Sequence, residues 1–240
     1  MEQIDSLHIH LWLAFLDEIR DPRLLDEYRR LLSEEELEKQ RRFHFERDRH
    51  RYLVTRAMVR TVLSRYAEVE ARQWRFVANA YGRPSIAPEH VHAIEFNVSH
   101  TGGLVVMGVA RERAIGVDVE LVRGSEVDIE IADRYFAPVE VAALRTLPRD
   151  RQQRRFFDYW TLKESYIKAR GMGLSIPLDR FAFHFADAKR TRFTVDARIG
   201  DRAGRWRFWQ LESGRGHLAA VCVGRGSGPS PWLAPWRPWP

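Results

Sequence analysis

Two carboxylates stand two residues apart in the strand-like segment Gly116-Val117-Asp118-Val119-Glu120. Side chains alternate between the faces of a β-strand, so Val117 and Val119 share one face while Asp118 and Glu120 share the other. At a backbone spacing of about 7 Å, the two carboxylates can converge on one hard cation. A half-exposed strand with a polar face explains most lone pairs of this kind, so a third carboxylate is needed before the pattern indicates a metal site.

Glu164 supplies that third carboxylate, within a segment that predicts a helix. At about 100° per residue, Glu164 falls between Trp160 and Phe157 in an apolar stripe. A carboxylate in such a stripe is costly unless it is paired or binds a metal. Lys168 follows four residues later, and the alternative is a helical ion pair worth about 0.2–0.5 kcal/mol. Because an exposed ion pair needs no apolar position, we favour a functional role for Glu164.

Two turns have the residue types that bind anions. One is Gly82-Arg83-Pro84, and the other is the small-residue turn of Asn97-Val98-Ser99-His100-Thr101-Gly102-Gly103. Ser99 and His100 are adjacent and point to opposite sides of an extended chain, so they cannot form the nucleophile–base pair of a hydrolase. Their hydroxyl and imidazole groups, with the amides of the turn, can instead donate hydrogen bonds to a phosphate.

Positive charge is concentrated between residues 39 and 65, a segment that contains nine Lys or Arg residues and only two acidic residues. The whole chain has a net charge of only +6, so the rest of the sequence is nearly neutral. Guanidinium groups match phosphate oxygens in geometry, and the cluster therefore suggests a phosphate-bearing or acidic partner. The alternative is a solvated helix face in an Arg-rich protein.

The composition excludes several classes of protein. The 240 residues are 45% hydrophobic and 30% charged, which is typical of a folded protein and excludes collagen, coiled-coil and disordered chains. The single cysteine, Cys222, cannot form an internal disulfide and fits a reducing compartment. No segment approaches the ~20 apolar residues of a membrane span, and the apolar run at residues 7–16 lacks a basic leader. We therefore expect a cytoplasmic protein.

The elements that must position these residues follow an α+β order. An opening strand at residues 9–13 places His8 and His10 on one face, where we expect surface residues and no metal site. A capping box at Ser33 predicts a helix through Phe43, and a second helix is predicted at residues 48–66. A further helical stretch is expected at residues 125–171. The predicted strands are residues 74–78, 94–98, 104–110, 115–121, 181–185, 206–211 and 217–223.

We expect two similar halves that meet near Ala114, although no repeat of residue identity is visible. The predicted domains are residues 1–114, with the basic helices and phosphate-binding turns, and residues 115–223, with the carboxylates. Residues 224–240 contain three Gly, five Pro and three Trp, which predicts an extended or disordered tail. The alternative is that its tryptophans cover the body of the protein.

Taken together and in this order, the motifs resemble those of the 4′-phosphopantetheinyl transferases. The resemblance includes the two turns, Gly116-Val117-Asp118-Val119-Glu120, the segment from Trp160 to Lys168, and Gly171-Met172-Gly173-Leu174. It covers about residues 30–185. The length is similar to that of the larger, monomeric Sfp-like type. The resemblance implies the fold of that family, an α+β fold with two similar α/β subdomains in a pseudo-twofold arrangement.

The resemblance also implies roles for individual residues. Asp118, Glu120 and Glu164 are the implied Mg²⁺ ligands, with Glu164 also the base for a serine hydroxyl, directly or through a bound water. Lys168 is expected at the pyrophosphate as a catalytic and cofactor-binding residue. The other implied coenzyme A contacts are Ser99 and His100 at the nucleotide phosphates, Arg83 bordering the adenine, and Lys39, Arg42 and Arg51 around the 3′-phosphate.

The implied reaction transfers 4′-phosphopantetheine from coenzyme A to a serine of an apo acyl or peptidyl carrier protein and releases 3′,5′-ADP. Coenzyme A is the expected co-substrate, Mg²⁺ the cofactor and an acidic carrier protein the partner, with a monomeric enzyme and no nucleic acid or membrane. Fatty-acid, polyketide and nonribosomal peptide synthesis all remain open as pathways, because surface complementarity selects the carrier.

A nucleic-acid-binding protein is the alternative from another class. It would use the basic segment 39–65, with Phe43, Phe45 and Tyr52 as stacking partners for bases. The three carboxylates argue against it, because without a metal they would repel phosphates. A non-catalytic homologue is disfavoured as well, since every carboxylate of the motifs and Lys168 are present.

Overall fold

Two compact units make up the chain in the computed structural model, which describes residues 2–90, 93–187, 190–226 and 230–239. The first unit comprises Met1–Arg113 together with Ser230–Pro240, and the second comprises Ala114–Pro229. The boundary between the two units follows Arg113, one residue before the boundary expected after Ala114. Helices and strands are mixed in both units, which confirms the α+β class.

The elements are numbered here in chain order. The helices are α1 (Pro22–Leu31), α2 (Glu34–Arg41), α3 (Glu46–Ser64), α4 (Ile131–Tyr135), α5 (Pro138–Arg145) and α6 (Arg149–Arg170). The strands are β1 (His8–Phe15), β2 (Phe76–Ala78), β3 (Pro84–Ile86), β4 (Ile94–Thr101), β5 (Leu104–Arg111), β6 (Ile115–Leu121), β7 (Phe181–Asp187), β8 (Arg190–Val195), β9 (Trp206–Glu212), β10 (His217–Gly224), β11 (Trp232–Leu233) and β12 (Arg237–Pro238). In the described part of the chain, no helix combines the length and the apolar character needed to cross a membrane.

In the first unit, helices α1 to α3 accompany a sheet with the strand order β11-β1-β5-β4, in which β12 also pairs with β1. The predicted capping box is present, because Ser33 and Glu36 exchange hydrogen bonds at the start of α2. Helix α3 buries an apolar face that includes Leu53 and Met58 in the core of this unit. A separate small hairpin, β2–β3, precedes the sheet strands β4 and β5.

Strand β1 is buried on both faces, which differs from the expected alternation. His10 is only 4% exposed, and its Nδ1 lies 2.7 Å from the hydroxyl oxygen of Tyr66. The expectation of two surface histidines is therefore wrong for His10, while His8 is exposed. The physical reason is that β1 lies inside the sheet, between β5 and the strands of the C-terminal segment.

Residues 230–239 belong to the first unit and form two short strands parallel to β1. Trp239 is buried, stacks on Tyr28 with ring centroids 5.0 Å apart, and donates a hydrogen bond from Nε1 to Thr61 Oγ1 at 3.0 Å. Of the expected extended or disordered tail, disorder is wrong for these residues, which are extended and paired with β1. Residues 227–229 of the predicted tail lie outside the described residues. The alternative, that tryptophan covers the body of the protein, describes Trp239.

In the second unit, helix α6 packs against strands β6 and β10 of a sheet with the order β6-β10-β9. A second ladder joins β7 to β8. The predicted helical stretch 125–171 consists of three helices, since Pro138 begins α5 and Pro148 precedes α6. Helix α6 ends at Arg170, close to the predicted end at residue 171, and Gly171 caps it with a left-handed φ of 68° that favours glycine. Helix α1 and strands β3, β8, β11 and β12 were not among the predicted elements.

Candidate active site

Gly116 lets helix α6 approach strand β6 closely. A Cβ atom at residue 116 would overlap the carbonyl oxygen of Ser165 and the amide nitrogen of Ala169, and would lie 3.0 Å from Ala169 Cα. Glycine is therefore required for this contact between the backbones of the strand and the helix. Asp118 and Glu120 follow Gly116 by two and four residues on the same strand. The close approach of the two backbones therefore sets the distance between these carboxylates and the side chains of α6.

Strand β6 orients its side chains as the sequence predicts. Val117 and Val119 are buried in the apolar core, while Asp118 is also buried and Glu120 is half-buried. Lys168 of α6 reaches this strand, and its Nζ donates a hydrogen bond of 2.6 Å to Asp118 Oδ1. Lys168 therefore forms an ion pair with strand β6, outside its own helix.

Glu164 lies in the same electrostatic environment. The pKa of this carboxyl is raised to about 7, mainly by burial. The charges of Asp118 and Glu120 contribute to the increase, while Lys168 acts in the opposite direction. The four groups are therefore close enough to influence one another. We call Asp118, Glu120, Glu164 and Lys168 the acidic centre.

The acidic centre has oxygen ligands of the kind that Mg²⁺ prefers. Among the residues that the structure describes, however, no group of three or more His, Cys, Asp or Glu side chains is arranged to hold a metal ion. The ammonium group of Lys168 lies against Asp118 and supplies positive charge to the carboxylates there. The three carboxylates supply the oxygen donors that Mg²⁺ prefers, so the donor set fits this ion in its chemistry.

Lys163, next to Glu164, has a structural environment that sequence reasoning missed. Its side chain is fully buried, and Nζ lies 2.7 Å from Glu140 Oε2 of helix α5. It also donates to the backbone oxygens of Leu178 and Phe181 at 2.7 and 2.8 Å. The signal was present in the sequence, because Lys163 follows Phe156 by seven residues and so lies on the same buried stripe of α6.

A groove of about 2050 Å³ lies in the first unit, along helix α2, part of α3 and the hairpin β2–β3. Its lining includes Lys39 and Arg42, together with Gly82 and Pro84 of the first predicted turn. Eight cationic and four acidic side chains line it, so its charge is positive overall. The structure thus brings one part of the predicted basic site together with one of the predicted turns.

The other residues predicted at the nucleotide lie elsewhere in the first unit. Arg51 and Arg83 are not among the described residues that line the groove. Arg51 Nη2 lies 2.9 Å from Asp48 Oδ1, and Arg83 Nη2 lies 3.5 Å from Glu95 Oε2. The guanidinium groups of these two arginines therefore have acidic neighbours in the structure.

Ser99 and His100 lie near the end of strand β4 and face in opposite directions, as expected. Ser99 is buried and His100 is exposed, and their Cα partners across the ladder are Val106 and Val105 of β5. This arrangement agrees with the exclusion of a serine–histidine catalytic pair. Both residues belong to the first unit, whereas the acidic centre belongs to the second.

Comparisons with known proteins identify the class that these features define. The model of the 4′-phosphopantetheinyl transferase superfamily matches residues 114–222, which include the whole acidic centre. The model described as 4′-phosphopantetheinyl transferase, N-terminal, matches residues 22–112, which include the groove. The chain belongs to the 4′-phosphopantetheinyl transferase superfamily.

Individual relatives agree with this membership. The chain is 35% identical to 4′-phosphopantetheinyl transferase HetI of Nostoc sp. (strain PCC 7120), over 71% of each chain. It is 34% identical to 4′-phosphopantetheinyl transferase ffp of Bacillus subtilis, over 81% of this chain and 83% of that protein. It is 38% identical to 4′-phosphopantetheinyl transferase Sfp of Bacillus subtilis (strain 168), over 63% of this chain and 65% of that protein. These relatives give no support to the nucleic-acid-binding alternative.

Proposed function

We propose that this chain transfers the 4′-phosphopantetheine group of coenzyme A to a serine hydroxyl of an apo acyl or peptidyl carrier protein and releases 3′,5′-ADP. Membership of the superfamily supports the transferase activity. The observation that carries the proposal in the structure is the acidic centre, where carboxylates from β6 and α6 influence one another beside Lys168. Such a site can bind a phosphate ester through a cation and accept a proton from a nucleophile.

Asp118, Glu120 and Glu164 are the residues that would hold Mg²⁺. A bound Mg²⁺ would supply positive charge to phosphate oxygens, which is the main electrostatic requirement of phosphoryl transfer. The acidic side chains alone would repel coenzyme A, so the proposal needs either this ion or the charge of Lys168. Lys168 is the proposed partner of the pyrophosphate, because an ammonium group stabilises negative charge on phosphate oxygens.

Glu164 is the proposed general base. A carboxylate within hydrogen-bond reach of a serine hydroxyl can accept its proton. The serine oxygen would attack the phosphorus that carries pantetheine, and the phosphorus–oxygen bond to 3′,5′-ADP would break. The serine proton would pass to Glu164, directly or through one water.

The nucleotide part of coenzyme A is assigned to the first unit. The positive groove with Lys39 and Arg42 supports this assignment, because charge-assisted hydrogen bonds suit phosphate oxygens. For Arg51, Arg83, Ser99 and His100, the proposed contacts rest on the resemblance alone. We further propose that the enzyme is a cytoplasmic monomer, and that its basic surface attracts an acidic carrier protein.

Substitution of the carboxylates tests the proposal. Asp118→Ala and Glu120→Ala should abolish transfer while leaving the fold largely intact, because each removes an oxygen ligand from a set of mutually repelling charges. The matched control is Glu126→Ala, which removes an exposed carboxylate of the same unit. Mass spectrometry of an apo-carrier protein with coenzyme A and Mg²⁺ gives the activity, and the melting temperature reports folding.

The metal assignment would be contradicted if Asp118→Ala and Glu120→Ala kept activity within about threefold of wild type. A threefold loss corresponds to only ~0.65 kcal/mol in the activation barrier. Wild-type transfer that is insensitive to EDTA would contradict the metal assignment as well.

A further inference from the structure

The groove in the first unit contains arginines beyond those that the resemblance assigns to coenzyme A. Arg56 and Arg60, one helical turn apart on α3, both line it. The aromatic side chains of Phe43, Tyr52 and Phe76 line it as well. Cationic and aromatic groups together are suited to a nucleotide, which has phosphate oxygens and a flat base. The question is which cation has donors available for a ligand.

Arg60 has its donors occupied by the protein. It is 2% exposed, its Nε donates to Glu36 Oε2 at 3.0 Å, and its Nη2 lies 2.8 Å from the same oxygen. Its Nη1 donates to the backbone oxygens of Ala71 and Trp74, each at 3.0 Å. Arg60 therefore joins α3 to the segment before β2 and has a structural role.

Arg56 has fewer protein partners and a fixed position. Its Nε donates to Glu36 Oε1 at 2.6 Å, and its Nη2 pairs with the same oxygen. The guanidinium group lies over the ring of Phe76, with Cζ 4.8 Å from the centroid. Within the described part of the chain, Nη1 of Arg56 has no hydrogen-bond partner, so donor capacity remains on a side chain that is already oriented.

The positive charges around Glu36 outnumber the negative charge of its carboxylate. One carboxylate serves two guanidinium groups, so the cluster of Glu36, Arg56 and Arg60 has one positive charge in excess. Partly buried charges are most stable when they are paired. An anion in the groove would supply the missing negative charge, and a phosphate can also accept two hydrogen bonds from one guanidinium group.

We propose that Arg56 is a further coenzyme A-binding residue, which binds the 3′-phosphate from the wall of the groove and so selects coenzyme A over dephospho-coenzyme A. Glu36 and Phe76 are its positioning residues, because they hold the guanidinium group in place. This inference rests on the proposed function, since it takes coenzyme A as the substrate. It adds Arg56 to Lys39 and Arg42, which line the same groove.

Calorimetric titration of the full chain with coenzyme A and with dephospho-coenzyme A tests the assignment. Arg56→Gln should weaken binding of coenzyme A about tenfold or more, which is the scale of a charged hydrogen bond, and binding of dephospho-coenzyme A less than threefold. Arg56→Lys keeps the charge but loses the planar fork, and we expect an intermediate loss for coenzyme A alone. The matched control is Arg41→Gln, an exposed arginine that does not line the groove, which should leave both affinities unchanged.

Each outcome separates the possible explanations. Equal losses for both ligands, or coenzyme A binding within threefold of wild type, would overturn the role of Arg56. Arg60 still pairs with Glu36 after Arg56→Gln, so we expect this variant to fold; if its melting temperature shows otherwise, the ligand preference of Arg56→Lys decides by the same criterion. A wild-type chain that binds neither ligand would instead refute the proposed function, and this inference with it.

Discussion

Nζ of Lys168 lies 2.6 Å from Oδ1 of Asp118, so an ion pair joins helix α6 to strand β6 within the acidic centre. Asp118 is 4% exposed and Lys168 is half-buried, which limits the screening of this pair by water. Glu164 lies close enough for Lys168 to counteract the increase in its pKa. One lysine therefore affects two of the three carboxylates that we assign to the reaction.

The functional reading of Glu164 and Lys168 predicts a loss of activity without a loss of folding. Glu164→Gln keeps the shape of the side chain but removes its charge and proton acceptor, so kcat/KM should fall about 10²-fold or more. Lys168→Ala should lower kcat/KM even at saturating Mg²⁺, because it removes positive charge from the transition state. Steady-state kinetics and the melting temperature check both variants. Unchanged turnover with a lower melting temperature would show that these residues are structural.

Gly116→Ala should disturb the acidic centre through the backbone contact between β6 and α6. The added Cβ would overlap backbone atoms of Ser165 and Ala169, and these cannot move without shifting helix α6. We expect a loss of about 1–3 kcal/mol in the free energy of unfolding, with a fall in kcat/KM. The control is Gly204→Ala, where a Cβ meets no atom within 4 Å and φ lies outside the left-handed region. Urea unfolding of both variants makes the comparison, and equal effects would contradict the close packing of α6 on β6.

Lys163 and Lys168 belong to one motif but should respond differently to substitution. Lys163→Met leaves Glu140 buried without its cation, which should cost about 3–5 kcal/mol in the free energy of unfolding. The double variant Glu140→Gln/Lys163→Met should be less destabilised than the sum of its single variants, because the unpaired charge is gone. Denaturant unfolding of the four proteins gives this coupling. Additive effects would mean that the buried pair does not act as a unit.

The C-terminal segment should stabilise the first unit through Trp239. Trp239→Ala removes the stacking on Tyr28 and the hydrogen bond to Thr61, and we expect a loss of about 3–5 kcal/mol in the free energy of unfolding. Trp232→Ala is the matched control, because Trp232 is 68% exposed and should lose much less. Thermal melting of both variants checks this. A similar small change in both would indicate that the segment is dispensable for folding.

Part of the acidic centre could be predicted from the sequence, because the periodicity of a strand or a helix determines which of its residues share a face. Alternation along β6 predicts that Asp118 and Glu120 share a face, and helical spacing predicts that Glu164 lies in an apolar stripe of α6. Local patterns do not show which strand a helix contacts, so the bond between Lys168 and Asp118 could not be predicted. The partner of Lys163, Glu140, is likewise on another helix.

The first unit shows a second reason why parts of the structure could not be predicted from the sequence. Strand β1 has the alternation of a half-exposed strand, but the C-terminal strands β11 and β12 pair with it from more than 200 residues away. A tail rich in Pro and Gly is typical of disorder, so its composition gave no signal of this pairing. The arginines of segment 39–65 are a similar case, because composition does not distinguish buried Arg60 from exposed Arg42.

Transfer to a carrier protein is the central claim, and intact-protein mass spectrometry tests it most directly. A panel of apo acyl and peptidyl carrier proteins is incubated with the full chain, coenzyme A and Mg²⁺, with Asp118→Ala as the inactive control. We expect at least one carrier to gain the mass of a single phosphopantetheine group on its serine, with wild type and not with the variant. A panel that stays entirely in the apo form with wild type, or one modified equally by Asp118→Ala, would contradict the account.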